Sequence, residues 1–147
     1  DKDPYLVSEH RSSYKSELEI KNIYENKAKI TIFAISSARF TALDAIKLLK
    51  KDNIKCNLIN VLWLSPFKLS KKDYNFLKKS KKGIVIDASF TDCGITSTIA
   101  YKLMQKTKIS VTALGLENRS SGTSKKTENG TPSANKIYKT IKKIVNN

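Results

Sequence analysis

Signals for strands and helices alternate four times between residue 29 and the end of the chain, and this alternation restricts the possible folds more than any other feature. Each short apolar stretch rich in β-branched residues precedes a stretch whose apolar residues have helical spacing. The predicted strands are residues 30–36, 56–64, 83–89 and 109–116. Because the connections are short and the strands apolar, the sequence predicts an α/β domain, a three-layer α/β/α sandwich with a mainly parallel sheet.

The predicted helices carry recognisable first turns and apolar faces. Ser70 and Asp73 have the S-x-x-D spacing of a capping box, in which the two residues satisfy each other's backbone N–H groups. Ser133 is predicted to cap the last helix. The apolar stripe of that helix consists of Ala134, Ile137, Tyr138, Ile141 and Ile144.

The first 28 residues do not continue this alternation of strand and helix signals. DPYLVSEHRSSY begins as a short strand, and ELEIKNIYENKAK has the composition of a charged connector. We therefore predict that residues 1–28 are the tail of a different unit plus a linker, and that residues 29–147 form the α/β domain.

The chain is strongly basic, with 28 Lys and Arg against 13 Asp and Glu and a net charge of +15. Only Arg11, Arg39 and Arg119 are arginine, and the lysines occur as scattered doublets. Nucleic-acid-binding proteins usually mix in arginine, whose planar guanidinium pairs bidentately with phosphates and base edges. The pattern favours a solvated lysine surface over a dedicated polyanion site, and nucleic acid is an unlikely partner.

Cysteine spacing and hydropathy indicate the compartment. Cys56 and Cys93 lie far apart and form no C-x-x-C motif, so they predict neither a zinc site nor a disulfide framework. No apolar run is long enough to span a bilayer, and no signal segment opens the chain. We therefore expect a cytoplasmic protein that does not contact a membrane.

The stretch GIVIDASFTDCGITSTI, residues 83–99, has the layout of a phosphate-binding strand–turn–helix. A dinucleotide cradle requires several glycines so that backbone N–H groups can approach a pyrophosphate. Only Gly94 is present, preceded by Cys93, and there is no P-loop lysine. The sequence favours a structural turn, with a flavodoxin-like nucleotide binder as a poorly supported alternative.

Other candidate residues point to structure rather than catalysis. Asp87 and Asp92 would lie at the carboxyl edge of the sheet, where α/β folds bind ligands, but capping of the following helix is the favoured role of Asp92. His10 is the only histidine and cannot form a metal site by itself. The polar loop 117–131 is predicted to be mobile. We assign no catalytic, cofactor-binding or metal-binding residues; the possible interface or structural positions are His10, Asp87, Cys93, Gly94 and Gly122.

Several stretches, in this order, resemble one known family. They are ITIFAIS, INVLWLSPFK, IDASFTDCG, then Gly115, Ser121-Gly122 and Gly130-Thr131 before the last helix. Together they resemble the C-terminal domain of transketolase-like thiamine diphosphate enzymes. DPYLVSEHRSSY is similar to the end of the pyrimidine-binding domain in β subunits of 2-oxo acid dehydrogenase decarboxylase components, of the pyruvate dehydrogenase type.

The resemblance implies a parent enzyme that cleaves a bond next to a carbonyl group, with thiamine diphosphate supplying the electron sink. In this family the cofactor and its Mg²⁺ lie between the pyrophosphate-binding and pyrimidine-binding domains, outside this chain. Residues 1–28 would end the pyrimidine-binding domain, and the remainder would organise the dimer without catalysing the reaction. The implied partners are a second copy or an α-type subunit with the pyrophosphate-binding domain.

Two alternatives stay open from the sequence. The parent could be a stand-alone transketolase-like enzyme that acts on sugars. From a different class, the chain could be a basic α/β module that binds RNA or another polyanion, with affinity that falls steeply as salt rises.

Overall fold

The computed structural model describes residues 4, 6–7, 18–124 and 129–146. The four helices among them and the six strands run in the order β1 (Ile30–Ala34), α1 (Ala38–Lys51), β2 (Cys56–Asn60), β3 (Trp63–Leu64), β4 (Phe67–Lys68), α2 (Lys71–Ser80), β5 (Gly83–Phe90), α3 (Ile95–Thr107), β6 (Val111–Leu116) and α4 (Ala134–Asn146). None of these helices is both long and apolar enough to cross a membrane.

Four strands form one parallel sheet in the order β2-β1-β5-β6. The register is set at its centre, where Ile32 of β1 lies between Leu58 of β2 and Ile84 of β5. All five residues of β1 are buried, because helices cover the sheet on both sides. The predicted parallel sheet is therefore confirmed.

Alternate residues of each strand supply two separate hydrophobic clusters. One cluster packs Ile32 and its same-face neighbours against α1 and α4, including Ile137 and Ile141, which are fully buried. The other packs Phe33 and its same-face neighbours against Leu77 of α2 and against α3. Two helices thus lie on each face, which confirms the predicted three-layer α/β/α sandwich.

The prediction of one long strand over residues 56–64 is wrong. β2 ends at Asn60, and the chain then forms an antiparallel hairpin in which Trp63 pairs with Lys68 and Leu64 with Phe67. The turn between these pairs is Ser65–Pro66. Proline lacks the N–H that a continuing strand would donate, so the apolar run turns back instead of extending the sheet.

The predicted first turns of two helices are confirmed. The Ser70 hydroxyl accepts from the Asp73 backbone N–H, and the Asp73 carboxylate accepts from the Ser70 N–H at 2.9 Å, which completes the capping box of α2. At α4, the Lys136 N–H donates to Ser133 Oγ at 3.2 Å. Both helices therefore begin where the serine spacing indicates.

Residues 20–25, here called the strap, lie along the outer edge of β2. Ile23 exchanges two backbone hydrogen bonds with Leu58, at 2.8 and 2.9 Å, in an antiparallel bridge. The Tyr24 hydroxyl donates to Asp73 at 2.7 Å, and the Glu25 N–H donates to Asn57 Oδ1 at 2.7 Å. The predicted charged connector thus contacts the domain through its backbone. Most of the predicted short strand that precedes it lies outside the described residues.

Candidate functional site

The strand order reverses between β1 and β5, which makes this the topological switch point of the sheet. The chain leaves β1 through α1 toward β2 on one side, and leaves β5 through α3 toward β6 on the other side. Ligands of open α/β sheets bind at the carboxyl ends of strands where the order reverses in this way. The segments at this point are Ser36–Ser37 after β1 and the turn between β5 and α3.

Gly94 in that turn is required for space rather than for backbone conformation. Its φ of −89° is accessible to any residue. A Cβ atom added to Gly94, however, would lie 1.8 Å from the carbonyl oxygen of Phe90. The position that a phosphate-binding glycine leaves open for its ligand is here filled by the protein's own backbone.

Thr91 ties the same turn to β6 and α3. Its N–H donates to the Leu116 carbonyl at 3.0 Å, and its Oγ1 accepts from the Gly115 N–H at 2.9 Å. The Ser97 hydroxyl donates to the Thr91 carbonyl. Gly115 lies so close that a Cβ there would be 2.2 Å from the Ser89 carbonyl oxygen. The turn is closely packed at Gly94 and Gly115, so these two residues do not fit a pyrophosphate or thiamine diphosphate.

Three hydroxyl groups near this edge are buried without a hydrogen-bond partner: Ser37 Oγ, Ser89 Oγ and Thr96 Oγ1. Buried polar groups normally have partners, and unpartnered ones often mark ligand sites. These oxygens are sealed from solvent, however, and Ser89 Oγ lies 3.0 Å from the position of a Gly94 Cβ. They reflect close packing of the turn rather than an open binding site.

The remaining predicted positions are not brought together into one site. Asp87 accepts from the Ser89 N–H at 3.2 Å and forms no ion pair within the described parts of the chain. The prediction that Asp92 caps α3 is wrong, because Gly94 occupies the N-cap position and no side chain caps the helix. Gly122 lies in an exposed loop, and His10 is outside the described residues.

Metal binding has no support among the described residues, where no group of three or more His, Cys, Asp or Glu side chains could hold an ion. A cavity of about 390 Å³ lies elsewhere, where the strap meets α1 and the end of β2. Its lining includes Ile20, Arg39, Asn60 and Leu62, and Arg39 is held there by a 2.9 Å bond from Nε to the Ser36 carbonyl. None of the predicted site residues within the described ranges lines this cavity.

Sequence reasoning missed Asn129, which closes the base of the loop that follows β6. Its Oδ1 accepts from the Glu117 N–H at 3.0 Å, and its Nδ2 donates to the carbonyls of Glu117 and Arg119 at 2.8 and 2.7 Å. An asparagine in this position replaces the backbone pairing that the end of a strand loses. The only sequence signal for it is the Asn129-Gly130 dipeptide.

We expect Glu117 to contribute a small, pH-dependent stabilisation. Hydrogen bonds from Lys136 and Arg119 lower the pKa of the Glu117 carboxyl to about 2. A lowered folded-state pKa stabilises the fold above the unfolded pKa of about 4.3, and this stabilisation is lost as the pH falls toward 2. Urea unfolding at about pH 5 and pH 2.5 measures the free energy of unfolding at the two pH values. The loss of this free energy between pH 5 and pH 2.5 should be smaller in Glu117→Gln than in the original chain. If the variant loses as much stability as the original chain between these pH values, Glu117 is not the group responsible.

The two cysteines should differ sharply in reactivity. Cys93 is exposed, whereas burial raises the pKa of the Cys56 thiol to about 12. The thiolate is the reactive form, so a disulfide reagent at neutral pH should modify one thiol in the native protein and the second only after unfolding. In Cys93→Ser, no thiol should react rapidly with the reagent in the native protein. Two fast thiols in the native chain would contradict the burial of Cys56.

Comparison with known proteins places this geometry in context. The family model described as "Transketolase, C-terminal domain" matches residues 20–137. Among solved structures, a protein titled "Split gene transketolase, inactive beta4 tetramer" has a TM-score of 0.65 and 20% sequence identity, over 84% of this chain and 40% of that chain. At this identity the likeness shows the fold alone. No curated protein matches the chain.

Proposed function

Because the chain belongs to the transketolase C-terminal domain family, we propose that it is the organising, non-catalytic C-terminal domain of a thiamine diphosphate-dependent enzyme. The observation that carries this proposal is the packed turn between β5 and α3. There, the Phe90 carbonyl fills the space that a cofactor phosphate would need beside Gly94. The cofactor and its Mg²⁺ would bind upstream, between the other domains of the parent enzyme.

The finer proposal is that the parent is a β subunit of a 2-oxo acid dehydrogenase. Its support is the resemblance of DPYLVSEHRSSY to the end of the pyrimidine-binding domain in such subunits. Residues 1–28 would then end that upstream domain, and residues 29–147 would form the organising domain. A stand-alone transketolase-like enzyme that acts on sugars is the alternative for the parent.

We also propose that the chain works in an assembly, either with a second copy or with an α-type subunit. A protein of the same fold is described as a beta4 tetramer, which supports self-association. Phe90, the last residue of β5, is 46% exposed and precedes the candidate interface positions Cys93 and Gly94. Both cysteines are free, which supports the proposed location in a reducing cytoplasm.

Sedimentation and calorimetry of the 147-residue chain test the organising role. In sedimentation, we expect the chain to be a dimer or a larger species, and we expect Phe90→Asp to shift it toward monomer. In calorimetry, we expect no heat of binding on titration with thiamine diphosphate and Mg²⁺. Tyr101→Asp is the matched control, because Tyr101 is an exposed aromatic on α3, away from the turn. A strictly monomeric chain would overturn the self-association, and saturable cofactor binding would overturn the non-catalytic role.

The substrate class is tested on the parent enzyme purified from its own cells. A 2-oxo acid dehydrogenase component should reduce an artificial electron acceptor when supplied with a 2-oxo acid, and should not transfer two-carbon units between sugars. Transfer from a ketose donor without reduction of the acceptor would favour the sugar-acting alternative.

A further inference from the structure

The lysines of the two helical layers have different partners. Four of the five ion pairs among the described residues lie on or beside the layer of α1 and α4. Examples are Lys47 with Asp44 at 2.8 Å and Lys142 with Asp52 at 2.9 Å. The fifth pair joins Glu19 and Lys21 near the strap. In the described structure, no lysine of α2 or α3 forms an ion pair.

Six lysines of the described residues lie over aromatic rings, and only one of these, Lys142 over Tyr138, is on the layer of α1 and α4, where it is also paired with Asp52. The others are on or beside the layer of α2 and α3. We call these five the lysine face: Lys68 over Trp63, Lys72 over Tyr24, Lys79 over Phe76, Lys102 over Phe67 and Lys106 over Tyr74. The Nζ-to-centroid distances range from 3.9 Å for Lys72 to 5.9 Å for Lys102. The ring quadrupole attracts each ammonium group without cancelling its charge.

Two contacts of the lysine face join α3 to its neighbours. Lys102 of α3 reaches Phe67 in the hairpin, and Lys106 of α3 reaches Tyr74 of α2. The layer has almost no negative charge: α3 has no acidic residue, and the one carboxylate of α2, Asp73, is buried and bound to Ser70 and Tyr24. All five lysines are exposed.

We propose that the lysine face is a docking surface for an acidic surface of a different protein chain. Ammonium groups held over rings have already lost part of their freedom, so less entropy is lost when a carboxylate binds them. Tyr101 of α3 lies on the same layer, is not one of the five rings covered by lysines, and is 58% exposed. Exposed tyrosine is enriched at protein interfaces, where it provides an apolar anchor beside the charges.

A second copy of this chain is the wrong occupant. A two-fold interface would place lysines against lysines, which repel. A head-to-tail contact would need an acidic patch, but the chain has 13 acidic residues against 28 basic ones. Three of its described carboxylates, those of Asp44, Asp52 and Glu117, are already in ion pairs on the other layer.

The chemistry of the face also favours a protein over a nucleic acid. Sequence-tolerant binding of single strands uses free aromatic rings on which bases stack. Here five rings are occupied by the chain's own ammonium groups, and the two helices contain no arginine for bidentate phosphate contacts. This inference is independent of the substrate and of the self-association proposed above.

The test uses the 147-residue chain and poly-L-glutamate as the probe. Trp63 is the only tryptophan and lies within the face, so its fluorescence reports binding directly. We expect the tryptophan fluorescence to change to a plateau as poly-L-glutamate is added, and the affinity to fall as the salt concentration rises. The triple variant Lys72→Gln, Lys79→Gln, Lys106→Gln should weaken binding about tenfold.

The control triple variant Lys47→Gln, Lys50→Gln, Lys139→Gln removes the same charge from α1 and α4 and should change the affinity less than about twofold. Equal weakening by both triples would overturn the proposal, because net charge alone would then explain binding. Tighter binding of single-stranded poly(U) than of poly-L-glutamate at the same salt would also overturn it, in favour of a nucleic-acid surface.

Discussion

Gly94→Ala is expected to lower the free energy of unfolding by about 3 kcal/mol, a large part of the stability of a small domain. The new Cβ would lie 1.8 Å from the Phe90 carbonyl oxygen, and the nearest atoms are backbone, which cannot move aside as a side chain can. Relief would require the end of β5 to move, and Thr91 binds that segment to Leu116 and Gly115 of β6. Denaturant unfolding followed by circular dichroism measures the loss.

Gly83→Ala is the matched control for this prediction. The same methyl group at Gly83 would meet only side-chain atoms, the end of Leu77 at 2.9 Å and Val111 Cγ2 at 3.1 Å, and these can shift more easily than backbone. We expect a loss of about 1 kcal/mol there. If the two variants lose equal stability, the close approach at Gly94 is not the cause. Gly115→Ala, with 2.2 Å to a backbone oxygen, should behave like Gly94→Ala.

Asp73→Ala is expected to lower the free energy of unfolding by about 2 to 3 kcal/mol. Asp73 is only 5% exposed, and its carboxylate accepts from the Ser70 N–H, the Ser70 hydroxyl and the Tyr24 hydroxyl. The substitution removes the capping box of α2 and also leaves the Tyr24 hydroxyl without its acceptor. One residue thus links a helix start to the strap.

Two further variants separate these contributions. Asp44→Ala removes an exposed carboxylate paired with Lys47 and should change stability by less than about 0.5 kcal/mol. A double-mutant cycle with Tyr24→Phe should give a coupling of about 1 kcal/mol between Tyr24 and Asp73. Zero coupling would show that the strap is not held through this hydrogen bond.

Local signals predicted the fold well because they act over few residues. Apart from β2, which ends at Asn60 instead of the predicted residue 64, the apolar strands and the helices between them lie within a residue or two of their predicted ends, and Ser70 and Asp73 form the predicted capping box. The hairpin at Trp63–Lys68 was missed because its apolar run continues that of β2, and only Pro66 indicates the turn. Asn129 was missed because its partners lie about ten residues earlier in the chain.

In the candidate site, too, some features follow from the sequence and others depend on tertiary packing. The scarcity of glycine predicts that the turn at Gly94 is structural, and this stays a prediction. The close approach of the Phe90 carbonyl to the Cβ position of Gly94 depends on how β5 and β6 pack, which the sequence does not show. The strap was predicted to be a linker because its composition is charged. Its antiparallel bridge to Leu58 exists because β2 is an edge strand with unpaired backbone groups.

The sequence by itself determined the class of fold, since hydrophobic periodicity and turn residues specify which segments are strands and helices and which faces are apolar. It also determined the excess of positive charge. Only the tertiary structure decided which partner each lysine meets. Lys47 and Lys142 meet carboxylates, whereas Lys72 and Lys106 meet rings, because packing brings together side chains from segments that are far apart in the sequence.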